Sequence, residues 1–249
     1  MDLLKLYEID QLQLYFGNDF RINEHLIIRQ PTIGDIVDMG EREYFSMVHT
    51  LTAIPSDLIA QLSVIGLDWN KVEDFELFSM LIASMDVKDT RVLFGDLDFR
   101  KFHVVPMEGE RRHVLHHEEL NFDLDELMYG ALTRYLCMMH GIKKKPQFAG
   151  NEATKQMMIE MAIEDMERSK KKPYVSQLKS LISTMVNSAG FKYNIQQVRD
   201  MKLCQFMDSV SRIQIISSAT ALLHGCYSGM IDTKKIDKDG LNTMRDIDS

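Results

Sequence analysis

Three histidines fall within five residues, His113, His116 and His117, with Glu118 and Glu119 directly behind them. They are the densest group of metal-ligand side chains in the sequence, and a metal would require them to converge. On a strand, side chains alternate between faces, so His113 and His117 share one face and His116 takes the other. One strand then offers two ligands, short of the three or four that zinc takes from protein. Cys137, Cys204 and Cys226 are widely separated and lie in apolar helical patterns, where thiols are usually buried and inert. Asp237-Lys238-Asp239-Gly240 resembles the middle of a calcium loop, with Asp246 at the closing position. Setting Gly240 sixth puts Lys235 first, where a carboxylate must bind. Asp123, Asp125 and Glu126 look like paired acids, yet at the start of a helical pattern they answer to the helix dipole. No phosphate-binding glycine loop, zinc-protease helix or dinucleotide fingerprint occurs. Gly225-Cys226-Tyr227-Ser228-Gly229 carries its Ser one place too late for a nucleophile elbow. The expectation is a protein without catalysis, cofactor or structural metal.

The unusual feature is 18 Met, crowded as Met138-Met139, as Met157, Met158, Met161 and Met166, and as Met201 and Met207. Flexible thioethers fill irregular cores, and they also line surfaces that accept varied apolar helices. Core filling is the first expectation. If a partner surface exists, Met157, Met158, Met161 and Met166 are the candidate partner-binding residues. On a helix Met157, Met158 and Met161 fall within one face, and Met158 and Met166 repeat two turns apart.

These residues must be positioned by a chain of 249 residues, 45% hydrophobic and 27% charged, with a net charge of -8. That is a globular composition with room for one large core or two smaller ones. Three Cys fit a reducing compartment. No run of about 18 apolar residues suggests a membrane span. Met1–Leu14 carries Asp2, Lys5, Glu8 and Asp10 where a signal peptide would be apolar. Residues 1–125 hold 11 basic and 24 acidic side chains, whereas 126–249 is net positive. The acidic half disfavours wrapping by nucleic acid. Lys143–Lys145 and Lys170–Lys172 lack the interleaved aromatics of a nucleic-acid groove, so a nucleic-acid-binding module is a third reading only.

The expected fold is α+β and predominantly α-helical, with two β-hairpins in the N-terminal half and a helical C-terminal half. One hairpin pairs Leu12–Phe16 with Phe20–Arg29 across Gly17-Asn18-Asp19; the other pairs Phe102, Val104 and Val105 with His113–His117 across Met107-Glu108-Gly109-Glu110. Thr32 caps a helix reaching Leu51, weakened by Gly34 and Gly40. Further helices are expected at Asp57–Ile65, Phe75–Met85 and Lys88–Phe94. After them, Asp123 caps a helix ending at His140-Gly141, with Leu127, Met128 and Leu132 among its buried positions. Asn151–Lys171, Val175–Ala189 and Met201–Tyr227 complete the series. Residues 142–150, with three Lys, a Pro and a Gly, form the best linker. The division is then a mixed domain over 1–141 and a helical domain over 151–249, with a single domain as the alternative.

Several segments resemble uncharacterised proteins from the tail regions of tailed phages and prophages of Gram-positive bacteria. They are Pro31-Thr32-Ile33-Gly34-Asp35-Ile36, Glu43-Tyr44-Phe45-Ser46-Met47-Val48, Leu51-Thr52-Ala53-Ile54-Pro55-Ser56-Asp57 and Leu93-Phe94-Gly95-Asp96-Leu97-Asp98-Phe99. Phe191-Lys192-Tyr193, Phe206-Met207-Asp208-Ser209-Val210 and Tyr227-Ser228-Gly229 continue the likeness. In size, helical content and an opening strand-Pro-Thr-helix layout, such proteins are similar to phage tail assembly chaperones. The resemblance implies a cytoplasmic protein of the bacterial host that binds the tape measure protein, or another tail protein, during tail morphogenesis. Its rival is a tail or baseplate structural protein retained in the virion.

Overall fold

In the computed structural model, which describes residues 7–107, 113–231, 236 and 238–247, the side chain of Asp10 accepts from the N–H groups of Leu12 and Gln13 and starts α1 (Gln11–Tyr15). The Leu12–Phe16 segment is therefore helical, not a hairpin arm. Five residues are too few to separate the two periodicities, and the cap decides. Only Leu14 of α1 is buried, while Leu12 and Phe16 face solvent. The first hairpin lies within the expected second arm: β1 (Phe20–Arg21) pairs antiparallel with β2 (Ile27–Ile28). Asn23 makes the turn, its side-chain oxygen accepting from the N–H groups of His25 and Leu26 at 2.9 and 2.7 Å.

Thr32 and Asp35 form a reciprocal capping box for α2 (Ile33–Met39). Gly40, at φ +103°, then breaks the expected long helix, and α3 (Glu41–Thr52) runs on in a new direction. That backbone conformation is costly for any residue with a Cβ. A 3₁₀ turn at Pro55–Asp57 leads into α4 (Ile59–Val64), followed by α5 (Asp74–Ile82) and by α6 (Val87–Phe94), which Asp86 caps and Gly95 ends at φ +64°.

The second sheet has three strands in the order β3 (Phe102–Pro106), β4 (His113–His117) and β5 (Phe122–Leu124). Its first pairing has the expected arms, with Phe102 opposite His117 and Pro106 opposite His113. The turn expected at Met107–Glu110 falls largely outside the described residues. β5 is a correction to the sequence reading: Asp123 lies on this strand opposite His116, and Asp125 caps α7 (Glu126–His140) by accepting from the Met128 N–H. Three residues give no readable alternation, so β5 was hidden. Leu127, expected inside, is 44% exposed.

Residues 142–150 form neither helix nor strand. They are tied down nevertheless: Asn70 exchanges two side-chain hydrogen bonds of 3.0 Å with the backbone of Ala149, and Lys144 pairs with Asp57 at 3.1 Å. α8 (Glu152–Lys170), capped by Asn151, packs on α4. Then come α9 (Gln177–Val186), α10 (Ile195–Asp200) and α11 (Leu203–Tyr227). α10 is a helix that the sequence reading left out. It has its own Asn194/Gln197 capping box, and the chain is extended after it at Met201–Lys202, where an isolated bridge joins Thr32 to Lys202. Around that bridge Ile33 N–H donates to Met201 O at 2.9 Å and Leu203 N–H to Pro31 O at 3.1 Å.

The fold is α+β and mostly helical. Its larger core joins both hairpin regions to α1, α2, α3, α5, α6, α7, α9, α10 and the first half of α11. A smaller cluster surrounds Trp69 with Ala53, Ile59, Leu62 and Leu77, and Met158, Ile159 and Ala162 of α8 pack against it.

Candidate partner-binding groove

α2 forms one wall of an open groove and α9 with α10 forms the other. Ile33 and Val37 stand four apart on α2, one turn of the same face, while Leu178, Ile182 and Val186 repeat at four residues along α9. Ile195 and Val198 of α10 close the end. The space measures about 840 Å³, and its lining is mainly apolar. Val37 is 51% exposed and Ile195 59% exposed, which is unusual for apolar side chains grouped in one depression.

Charged residues on the rim hold the walls rather than the interior. Glu41, at the start of α3, accepts from the N–H groups of Gln177 and Leu178 at 2.9 Å each, so it caps α9 from a distant part of the chain. Partial burial would raise the Glu41 pKa, but these two N–H groups and the Ser176 and Tyr174 hydroxyls outweigh it and hold the carboxyl below its ordinary value. Arg199 reaches both carboxylate oxygens of Asp38 at 2.7 Å, clamping α10 to α2. Ser176 caps α9 locally through the Lys179 N–H.

A second recess of about 770 Å³ lies between α1, α7 and α11. It contains Cys137 and Cys204, whose thiols are pushed up by burial, which argues against nucleophilic thiolates. Asp208, also there, has its carboxyl raised by burial.

The histidines are brought into one sheet region but each has separate partners. His113 stacks on Phe75, ring centroids 4.9 Å apart, and its Nε2 donates to the Ser79 hydroxyl at 3.0 Å. His116 Nδ1 donates to the Asp123 carboxylate at 2.6 Å on the opposite face. His117 is buried against Phe102, and its Nδ1 accepts from the Leu120 N–H. Among the described residues no three His, Cys, Asp or Glu side chains are grouped as a metal would need. Lys235 and Asp237 of the calcium-like stretch lie outside the described residues.

The four candidate methionines divide between two sides of α8. Met158 turns inward to the Trp69 cluster, whereas Met157 and Met161 are 55% and 56% exposed, and Met166 is half-buried. Core filling does not hold for Met157 and Met161, since α8 has no fully buried residue at all. Replacing these two exposed residues should therefore cost little stability. A Met157→Ser/Met161→Ser protein should lose about 1 kcal/mol or less, mostly helix propensity, in a urea titration. Met158→Ala should lose more.

The groove residues escaped the sequence reading because Val37 and Ile195 look like any core apolar residue. The apolar positions of α9 at 178, 181, 182, 185 and 186 make one ordinary helical face, and α10 has only Ile195 and Val198, so no local signal marks the groove.

The chain is a helix-rich α+β protein with an open, mainly apolar groove. Residues 169–243 match the family described as the YomV second domain. YomV is a prophage protein of Bacillus, and the match supports a phage or prophage origin for this chain. It covers less than a third of the sequence, from the last turn of α8 through α11, and so includes the α9 and α10 wall of the groove. No curated protein and no solved structure matches the chain. Among the described residues no helix is long and apolar enough to cross a membrane.

Proposed function

We propose that this is a non-catalytic phage or prophage protein that binds an apolar helical segment of a tail protein, in the manner of a tail assembly chaperone keeping the tape measure protein soluble in the host cytoplasm. The observation that carries the reading is the open apolar groove, one wall of which belongs to the stretch similar to a prophage family. A helix presenting residues at i, i+3 and i+4 fits such a groove, whose apolar floor accepts varied side chains while Glu41, Lys179 and Arg199 stand among its lining. Met157 and Met161 extend the exposed apolar surface on α8 and remain candidate contacts.

The test is co-expression with the tape measure protein from the same phage or prophage. Val37→Glu/Ile195→Glu should fold with a stability change of about 1 kcal/mol or less, because both sites are more than half exposed. The same change should cut soluble client at least about tenfold, since binding would bury two carboxylates without partners. Unchanged client solubility would sink the groove assignment. Mass spectrometry of purified particles then separates a chaperone, absent from them, from a retained structural subunit.

A further inference from the structure

The groove between α2 and the α9–α10 wall also has a sign. Between the end of α8 and the start of α11, residues 171–202 hold six basic side chains and one acidic, Asp200. The facing stretch 33–41 holds three acidic side chains and no basic one. Six against four leaves the groove region net positive, in a chain whose net charge is -8. The three facing acids are moreover committed. Asp35 closes the Thr32 capping box, Asp38 accepts from Arg199 through both oxygens, and Glu41 accepts from the first N–H groups of α9.

Lys179 is the lining cation left over. It is exposed, and among the described residues it forms no ion pair. It follows Leu178 directly and stands three residues before Ile182, a neighbouring position on the helix surface, so it borders the apolar row of α9. Lys171, Lys172 and Lys192 flank the same wall along the chain, all exposed and without an ion pair among the described residues.

Resting on the groove reading above, we infer that the segment held there is an acidic amphipathic helix, with an apolar stripe for the floor and Asp or Glu beside that stripe facing Lys179. Charge complementarity selects this occupant. A helix flanked by Lys or Arg would meet an unpaired cation of its own sign, and an uncharged one would desolvate Lys179 without pairing it. Nucleic acid fits less well, since its phosphates would face an apolar floor and the acids of α2. The ion contacts lie at the rim. They therefore act on the choice of partner and on encounter more than on raw affinity, and salt weakens them.

Fluorescence anisotropy of the full chain with two synthetic peptides of about 20 residues, long enough to hold a helix, tests this. The peptides share one Leu stripe and differ only in carrying Glu or Lys beside it. At about 50 mM salt wild type should prefer the Glu peptide about fivefold or more, and at about 500 mM the preference should shrink to about twofold or less. Lys179→Glu, at an exposed site, should lose or reverse the preference with unchanged far-ultraviolet circular dichroism. Should the added charge disturb the Glu41 cap, the neutral Lys179→Gln should still about halve the preference. Val37→Ser/Ile195→Ser, which changes no charge, should weaken both peptides alike. Equal binding of the two peptides, or a preference that both Lys179 variants leave unchanged, overturns the acidic client and leaves the groove standing. If neither peptide binds, or if Val37→Ser/Ile195→Ser binds both as wild type does, the groove assignment falls and the acidic client with it. A random single-stranded DNA of about 20 nucleotides that binds more tightly than the Glu peptide also overturns it, by giving the cations to phosphate.

Discussion

Phe206→Ala is expected to destabilise the whole chain by about 3–5 kcal/mol, the cost of emptying a fully enclosed aromatic site. Phe206 has no exposed surface, sits in the first turn of α11 and meets the edge of Phe191 at a 6.5 Å ring separation. It belongs to the core that also contains Ile28, Tyr44 and Leu136, so the cavity opens where residues near the C-terminal end meet the N-terminal half. Trp69, the sole Trp, lies in the other cluster, among α4, α5 and α8. It gives a distant probe. Urea unfolding followed by Trp69 fluorescence and by circular dichroism should show the two signals falling together, both displaced to lower urea by the substitution. If the Trp69 transition stays at the wild-type midpoint while the dichroism splits, residues 1–141 and the helical remainder unfold separately.

Acid is expected to remove up to about 3 kcal/mol between pH 6.5 and pH 4 through one side chain. His140 ends α7 against Tyr44, with Nδ1 donating to Leu136 O at 2.7 Å and Nε2 accepting from the Tyr44 hydroxyl at 2.7 Å. The neutral imidazole satisfies both ring nitrogens, and burial disfavours the charged form. Burial lowers the His140 pKa to about 4, the Leu136 carbonyl offsetting part of that shift. A histidine whose folded pKa lies below its unfolded one stabilises the fold fully above the unfolded value, near 6.5. That contribution declines as the unfolded chain takes up the proton, and it is gone below the folded pKa. Urea midpoints at intervals from pH 7 to pH 4 should fall for wild type. His140→Gln should be less stable at pH 7 but much flatter over the same interval. A flat wild-type profile would mean that water reaches the imidazole. The Glu41 carboxyl, held low by the α9 N–H groups, acts in a different window: its contribution is present above the ordinary carboxylate value and declines as pH falls through its depressed one.

Much of the fold was legible where side chains speak to the local backbone. Thr32 announces its helix because a short oxygen-bearing side chain satisfies an otherwise unpaired N–H, and it makes that bond. Gly141 ends α7 in a left-handed conformation, as its position after His140 suggested. The failures fall where local signals are short or conflict. The α1 segment is five residues long and its apolar residues fit a strand as well as a helix, β5 is three residues long, and α10 lies beside the stronger apolar period of α11. The groove was not legible at all. Leu178 is buried and Ile195 is exposed, although both are aliphatic residues near the start of a capped helix, and nothing local in the sequence separates their environments. The methionines of α8 show the same limit, since helical spacing places Met157 and Met161 together without saying whether that face is covered.

The groove also has a place in time. Its walls are joined by contacts such as Glu41 to Leu178, 137 residues apart along the chain. At a synthesis rate of about 5–20 residues per second, roughly 7–27 s pass between the making of Glu41 and the making of Leu178. During that interval Ile33 and Val37 have no opposite wall, and the α9 end that Glu41 caps does not yet exist. If the groove holds a client segment as proposed, a growing chain cannot do so, and capture falls to finished molecules.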